Sequence, residues 1–361
     1  MFKNKKMLSL LIIVLMMTAL LSACGGQSKT AKETLNDAFM NDLDVNTQEF
    51  KVDMSIQLNG TNVNDPQFDL ISGVANNAKV VLTGKTDTVA RKAEINANVN
   101  VGGMAFEGKL FIDDKKIALN VPVLGMMLND PRLSTGYIII DTEVLMAEYG
   151  QEQVDMFGTE EEMEQLATRT MDMFLDLFDE NMFVNNGKKD IVVGESNIKA
   201  TEIQMNIGEN EFKSIVTNAL QKLKDPEFAN LLFDITALSN PDITREEFDN
   251  ELDTMLTELD TNFDGDIDRV FEEMKEVIDF DKTNLNMSVY INDKSNVVKG
   301  ISDISLGVKE NDTSVEVLLN TETDAWNINQ PLTIEIPEMD ESNSVDFYEL
   351  MFMVMSGNLN Y

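Results

Sequence analysis

The chain has 361 residues and a formal net charge of −36, with 64 acidic against 28 basic side chains. Such an acidic surface repels nucleic acid and anionic lipid head groups, so we expect no nucleic-acid partner and no electrostatic attraction to a membrane. The sequence contains no histidine and a single cysteine. These counts exclude Ser-His-Asp and Cys-His catalysis and histidine-containing zinc sites, and no spacing singles out a catalytic carboxylate pair. We therefore expect a protein that is not an enzyme.

The first 24 residues have the layout of an export signal. Basic residues stand at the start, and an apolar run of 15 residues extends from Met7 to Leu21. Small residues then precede Cys24 in the tetrapeptide Leu21-Ser22-Ala23-Cys24. This order is typical of a secretory signal. An uncleaved membrane anchor is the alternative, but spanning a bilayer takes about 20 residues.

The tetrapeptide resembles the lipobox of bacterial lipoproteins, in which signal peptidase II cuts before the cysteine. The resemblance implies that residues 1–23 are removed, that Cys24 is joined to diacylglycerol and that residues 24–29 are a short tether. Each buried methylene of an acyl chain contributes about 0.8 kcal/mol, so stable anchoring needs at least two chains. We expect a lipoprotein on the extracytoplasmic face of the cell membrane, and the excess of lysine over arginine is compatible with a Gram-positive source.

The residues after the tether predict strands at both ends of the chain and helices between them. A helix is expected from Thr30 to Met40, followed by strands with period-two alternation from Phe50 to Val121 and again at 137–140. Apolar spacing of 3.6 residues predicts helices between 163 and 278, with a strand at 201–207. One of these helices should begin at Pro226, and another should follow the capping-box pair Thr244 and Glu247.

Alternation returns in the last third, from Leu285 to Leu319 and around Ile334, before a short apolar helix at about Val345 to Met355. We interpret residues 30–361 as one domain of the α+β class. Its expected architecture is a curved antiparallel β-sheet, or half-barrel, with a helical insert at about 143–280 packed on one face. The predicted hairpins disfavour a doubly wound solute-receptor fold, which needs alternating strands and helices.

This order of elements is similar to that of the lipoprotein carriers LolA, LolB, LppX and LprG. The segments Gly136-Tyr137-Ile138-Ile139-Ile140-Asp141, 289–294 and 332–337 resemble their Gram-positive relatives. The resemblance implies an apolar cavity for acyl chains between the sheet and a helical lid. It transfers no individual functional residue.

Methionine is frequent, with 23 residues in the chain. Because its flexible side chain adapts to varied apolar partners, we expect a lipid-like ligand in a cavity lined by Met54, Met104, Met205 and Met287. Ordinary core packing is the alternative for each of these side chains.

A separate acidic segment resembles the start of an EF-hand loop. Oxygen-bearing side chains alternate along it, at Asp260, Asn262, Asp264, Asp266 and Asp268, and Gly265 stands where the sharp turn is needed. Phe271 occupies the twelfth position, where a bidentate glutamate belongs. We expect a weak Ca²⁺ site, with a dissociation constant of about 10⁻⁴–10⁻³ M. The alternative function is therefore a calcium-dependent structural or interaction module of the cell envelope, and the alternative for the segment is a purely conformational Asp-Gly turn.

Overall fold

A computed structural model describes residues 29–128, 130–142, 144, 160–240, 243–263, 267–310 and 312–355. The expected signal at 1–23 and Cys24 lie outside these residues. The described part is an α+β fold built on one open, curved, twelve-stranded sheet. The predicted fold class is therefore confirmed.

The sheet is antiparallel except at one edge. Its strands are β1 (Thr47–Thr61), β2 (Ala78–Asp87), β3 (Lys92–Val101), β4 (Met104–Asp113), β5 (Lys116–Asn120), β6 (Tyr137–Asp141), β7 (Phe183–Val193), β8 (Ser196–Ile207), β9 (Asn284–Ile291), β10 (Val297–Glu310), β11 (Thr313–Trp326) and β12 (Ser344–Asp346). Their order is β12-β6-β5-β4-β3-β2-β1-β11-β10-β9-β8-β7. Only β12 pairs in parallel with its neighbour, β6, among the strand pairs of the described chain.

The helices are α1 (Ala31–Asp42), α2 (Pro66–Ala75), α3 (Pro122–Leu128), α4 (Pro131–Thr135), α5 (Glu160–Leu175), α6 (Glu209–Lys222), α7 (Pro226–Ser239), α8 (Arg245–Phe263), α9 (Ile267–Lys275) and α10 (Phe347–Met355). The predicted starts of α7 at Pro226 and of α8 after Thr244 are confirmed. Before α8, the backbone N–H of Glu247 donates to Thr244 Oγ1 at 3.2 Å, and Glu247 Oε2 accepts from the Thr244 N–H at 3.0 Å. Both bonds satisfy donors that a helix start leaves unpaired.

The two ends of the sheet differ in how the strands are connected. At one end, which we call the helix end, helices connect consecutive strands: α2 connects β1 to β2, α3 and α4 connect β5 to β6, and α6 to α9 connect β8 to β9. At the opposite turn end, β2–β3, β4–β5, β7–β8 and β9–β10 are joined by short turns. Gly102 and Gly103, with φ of +58° and +82°, make the tight β3–β4 turn at the helix end.

Helix α1 runs along the sheet from the helix end to the turn end. Near its start, Lys32 Nζ donates to the carbonyl oxygen of Phe178 at 2.9 Å, shortly before β7 begins. Near its C-terminus, Asn41 Nδ2 donates at 3.3 Å to the carbonyl oxygen of Ser295 in the β9–β10 turn. The segment leading back to Cys24 therefore enters the fold at the helix end.

Strand alternation gives the sheet an apolar face and a polar face. On β1, Val52 and Met54 share the apolar face with their register partners Leu82 and Val80 on β2. The intervening Lys51 and Asp53 lie on the polar face, where both Lys51 and Lys79 form ion pairs with Asp53. Opposed residues in neighbouring strands share a face, so β3 and β11 continue this separation, whereas beside β7 and β8 the polar face carries an apolar cluster that includes Val193 and Ala200.

Helices cover the apolar face in two separate places. At the β7–β9 side, residues of α1, α5, α6 and α7 pack on the sheet in a cluster that we call the major core, which includes Leu35, Phe39, Phe178, Ile203 and Val289. At the other side, α3, α4 and α10 pack on β5, β6 and β12 in a minor core around Leu133, Ile138 and Val345. Fully burying one such side chain contributes about 1.5–3 kcal/mol, so these clusters fix the helices to the sheet.

Some elements differ from the sequence-based expectation. The alternation around Ile334 suggested a further strand, but 327–343 contains none. Pro331 and Pro337 flank this stretch, and proline cannot donate a hydrogen bond to a neighbouring strand. The expected helical insert at about 143–280 includes the whole β7–β8 hairpin, of which only the 201–207 part was predicted.

The β6–β12 junction provides a test of this fold. A Cβ atom at Gly136 would overlap the carbonyl oxygens of Arg132 and Asn343, and the Asn343 carbonyl accepts the N–H of Tyr137 at 2.9 Å. We predict that Gly136→Ala lowers the free energy of unfolding by about 1–3 kcal/mol, the usual cost of overpacking. Chemical denaturation measures the change.

Gly73→Ala is the matched control. Gly73 lies inside α2 with open space around its missing Cβ, so alanine should stabilise the helix by about 0.5–1 kcal/mol. An equal loss of stability in both variants would contradict the placement of β12 against β6.

Candidate functional site

The middle of the apolar face is the candidate site. Neither core contains a residue of β1 to β4 or of β11 among the described residues. Most of their apolar-face side chains are half-buried, with Ala93 buried and Met104 exposed, whereas most of those of β8 and β9 are almost fully buried. We call this open region the apolar trough; its lining includes Phe50, Val52, Met54, Ile56, Val80, Leu82, Val99, Phe106, Val317 and Leu319.

The trough is broad because five adjacent strands contribute to it. In one row across the sheet, Met54 stands opposite Val80 on β2, and Val80 stands opposite Val99 on β3. Four strand spacings of about 4.8 Å make the trough roughly 19 Å wide. The minor core lies on one side of it and the major core on the other, so two helical layers flank a floor of aliphatic side chains.

Hydroxyl groups mark the border between the trough and the major core. Along the same row, Met54 faces Thr321 on β11, Thr321 faces Ser302 on β10, and Ser302 faces Met287 on β9. Thr323, two residues further along β11, shares this face. A long apolar surface with polar groups along one border suits an amphiphile better than a purely apolar molecule.

The structure separates the four methionines that were expected to line one cavity. Met205 and Met287 face each other on β8 and β9 and are packed inside the major core. Met104 stands at the β3–β4 turn and is 61% exposed. Only Met54 lies in the centre of the trough. Sequence spacing gives the face of each methionine, but it does not show which part of that face the helices cover.

One described pocket between the sheet and the helices is small. A pocket of about 50 Å³ lies between α6 and strands β8–β10, beside Phe212, Ile215 and Leu285. A water molecule occupies about 30 Å³ in the liquid, so this pocket cannot hold an acyl chain. A lipid-like ligand would therefore lie in the trough and not in this pocket.

The polar face contains a compact network of charges. Lys299 Nζ lies 3.0 Å from Asp324 Oδ1 and also contacts Glu322, and the side chains of Lys299 and Asp324 are only 13% and 15% exposed. Burial alone lowers the pKa of Lys299, but its hydrogen bonds to the two carboxylates outweigh this and leave the pKa above the ordinary lysine value. Each charge has an opposite partner, so the cluster stabilises the fold of the sheet.

Tyr290 and Glu202 extend this network toward β8. The Tyr290 hydroxyl donates to Glu202 Oε1 at 2.9 Å, and Lys189 Nζ lies 3.8 Å from Glu202 Oε2. Burial raises the pKa of Tyr290, and the hydrogen bond to Glu202 raises it further. The tyrosine therefore remains a neutral donor at physiological pH.

A second concave region, at the turn end, was not anticipated from the sequence. The β7–β8 turn reaches Trp326 at the end of β11: Gly194 has a φ of +57°, and a Cβ there would lie 3.1 Å from Trp326 Cδ2. The curvature of the sheet brings these distant strands together beside an open cleft of about 710 Å³. Its lining mixes apolar side chains such as Ile198 with Lys294 and several amides.

The first residues of the acidic segment belong to a helix and not to a loop. Asp260 and Asn262 belong to α8, which continues to Phe263, whereas Asp264 and Asp266 lie outside the described residues. Asp268 is in the first turn of α9, where it forms an ion pair with Lys213. Residues two apart on a helix do not face each other, whereas the calcium-loop pattern requires them to converge. The described residues contain no cluster that could hold a metal ion, and the calcium site stays a prediction.

Comparisons with known proteins add no assignment. A scan against protein-family models matches no family, and a search of curated proteins finds no similar sequence. Among the described residues, no helix is long and apolar enough to cross a membrane.

The Lys299 cluster gives a prediction with a defined pH dependence. Lys299→Met leaves Asp324 and Glu322 without their cation, and we expect a loss of about 1–3 kcal/mol of unfolding free energy at pH 7. Because the pKa of Lys299 is raised in the folded state, its contribution in the wild type is complete below about pH 10 and is lost as the pH rises through that pKa.

Denaturation curves at several pH values measure both effects. The control is Lys188→Met, which removes an exposed ion pair with Asp293 and should change stability by less than about 0.5 kcal/mol. Equal losses in the two variants would show that the Lys299 network stabilises the fold no more than an exposed ion pair does.

Proposed function

We propose that the protein is held at the cell membrane through lipid on Cys24 and binds a lipid-like amphiphile in the apolar trough. One observation carries the proposal: on five neighbouring strands, apolar side chains such as Val52, Met54 and Val80 lie outside both helical cores and stay partly exposed. Soluble proteins rarely expose a contiguous apolar surface of this kind without a binding role. The lipobox-like Leu21-Ser22-Ala23-Cys24 supports the location.

The size of the trough is sufficient for useful affinity. Each methylene transferred from water to an apolar surface contributes about 0.8 kcal/mol, so a dozen of them contribute about 10 kcal/mol. Part of this offsets the freedom that the ligand loses on binding. With a cost of association of about 4 kcal/mol or more, at most about 6 kcal/mol remains, which corresponds to a dissociation constant of tens of micromolar or weaker and suits a protein that both takes up and releases its ligand.

The surroundings of the trough favour one orientation of a bound acyl chain relative to the strands. Aliphatic side chains of β1, β2 and β3 form the floor, and the hydroxyls of Ser302, Thr321 and Thr323 lie along the β10–β11 border. Ser302 is buried, whereas Thr321 and Thr323 are partly exposed, so a polar head group can exchange hydrogen bonds with these two threonines while the chain lies across the strands. The proposed ligand class is therefore an amphiphile with one or more acyl chains.

The ligand can be tested with a fluorescent fatty acid. Met54→Glu places a carboxylate in the centre of the trough, and we expect at least about tenfold weaker binding, equivalent to 1.4 kcal/mol. Titration of delipidated protein, followed by fluorescence, measures the dissociation constant. Gln57→Glu is the control, because Gln57 lies on the same strand but is exposed on the polar face. Absence of binding by the wild type, or equal weakening in both variants, would refute the trough as a ligand site.

The anchor can be tested separately by metabolic labelling. Cells producing the wild type should incorporate radioactive palmitate into the protein, whereas Cys24→Ala should remain unlabelled. Cys24 is the sole cysteine, so no other thiol can accept the lipid. Equal labelling of the two proteins would rule out the anchor without bearing on the trough.

A further inference from the structure

Exposed apolar side chains are concentrated on successive connections at the helix end of the sheet. The β1–β2 connection presents Leu70, 71% exposed, the β3–β4 turn presents Met104, and the β5–β6 connection presents Met127, 67% exposed. Together with neighbouring side chains they form a surface that we call the apolar rim: Leu70, Ile71, Val74, Met104, Met126 and Met127. Single exposed apolar residues are common, but a group on adjacent connections marks an interaction surface.

Helix α2 is the clearest part of this rim. It is only 10 residues long and rich in apolar side chains, yet none of its residues is buried. Asp65 caps it, with Oδ1 accepting from the Gln67 N–H at 2.8 Å, and Phe68 contacts the backbone position of Gly60 on β1. A helix this short gains little stability from its own hydrogen bonds in water, so its outward apolar side chains are suited to contact with something else.

The position of the tether indicates what the apolar rim contacts. Lys29 directly precedes α1 at the helix end, and Cys24 is five residues earlier. Five residues reach at most about 17 Å when fully extended. An acylated Cys24 would therefore hold the helix end, and with it the rim, close to the bilayer surface.

We propose that the apolar rim inserts into the surface of the lipid bilayer from which Cys24 suspends the protein. This inference rests on the proposed function, because the lipid on Cys24 supplies the orientation. The insertion is driven by apolar area and not by charge, since a chain with a net charge of −36 gains nothing from anionic lipid. Shallow insertion of about 5–10 Å, as for interfacial helices, places Leu70 and Met104 at the boundary between head groups and acyl chains.

The rim is also continuous with the trough. Met104 stands opposite Val101 and shares the apolar face with Phe106, which lines the trough two residues further along β4. A rim seated in the bilayer would let the trough open toward lipid at its helix end. An acyl chain could then move between bilayer and trough without crossing water.

Single-cysteine probes test this orientation in the lipidated protein. With Cys24 acylated, a cysteine introduced by Leu70→Cys or Met104→Cys is the only free thiol and can take an environment-sensitive fluorophore. The control is Val89→Cys: Val89 is 76% exposed in the β2–β3 turn, at the opposite end of the sheet. The labelled proteins are placed in phosphatidylcholine vesicles with and without brominated phosphatidylcholine.

We expect a blue shift and quenching by brominated lipid for the probes at Leu70 and Met104, and an unshifted, unquenched signal at Val89. Equal, water-like signals from all three probes on vesicle-bound protein would overturn the inference and leave the anchor intact. A different outcome would be rim probes that are shielded from water but not quenched by brominated lipid, together with energy transfer between labelled copies. This outcome would show that the rim contacts a second copy of the chain, and it would overturn the inference. Protein that takes label at Cys24 and stays off the vesicles would overturn both the anchor and the inference.

Discussion

The apolar face of the sheet is larger than the area that its helices cover, and this mismatch determines the rest of the structure. Strict alternation along β1 places Val52, Met54 and Ile56 on one face and charged partners such as Asp53 on the other. Among the described residues, the two helical clusters on this face, the major and minor cores, lie at its two sides. The middle strands keep their register through main-chain hydrogen bonds and cross-strand contacts, and they leave an apolar floor open.

The polar face explains how such a sheet can remain open without losing its shape. Lys299 with Asp324, and Tyr290 with Glu202, connect neighbouring strands through side chains that are largely shielded from water. At the turn end, the contact of Gly194 with Trp326 joins strands that are separated in the sheet order. The curvature is thus fixed on the polar side, and the opposite side is available for a ligand. At the helix end, the trough meets the rim.

The sequence allowed the elements with strong local signals to be predicted. Period-two runs identified β1, β3 and β9, and the Thr244 and Glu247 pair identified the start of α8, because these patterns depend on neighbouring residues alone. Strand β7 was not predicted because this edge strand has exposed Asn and Lys residues in place of alternating apolar and polar residues. Helix α2 was not predicted because its apolar residues do not form one buried face of a helix. Only part of the candidate site could be predicted from the sequence. Alternation placed Met54 and Met287 on the same face, but which of the two is covered depends on long-range helix packing.

We propose that acyl chains lie on the middle strands of the sheet. Photo-crosslinking of the lipidated protein in membranes with a diazirine-bearing fatty acid, followed by peptide mass spectrometry, tests it most directly. The account predicts modified residues in the β1 and β2 peptides, around Met54 and Val80, and none in the buried β8–β9 pair. Crosslinks confined to other surfaces, such as the cleft beside Trp326, or no crosslinks at all, would contradict it.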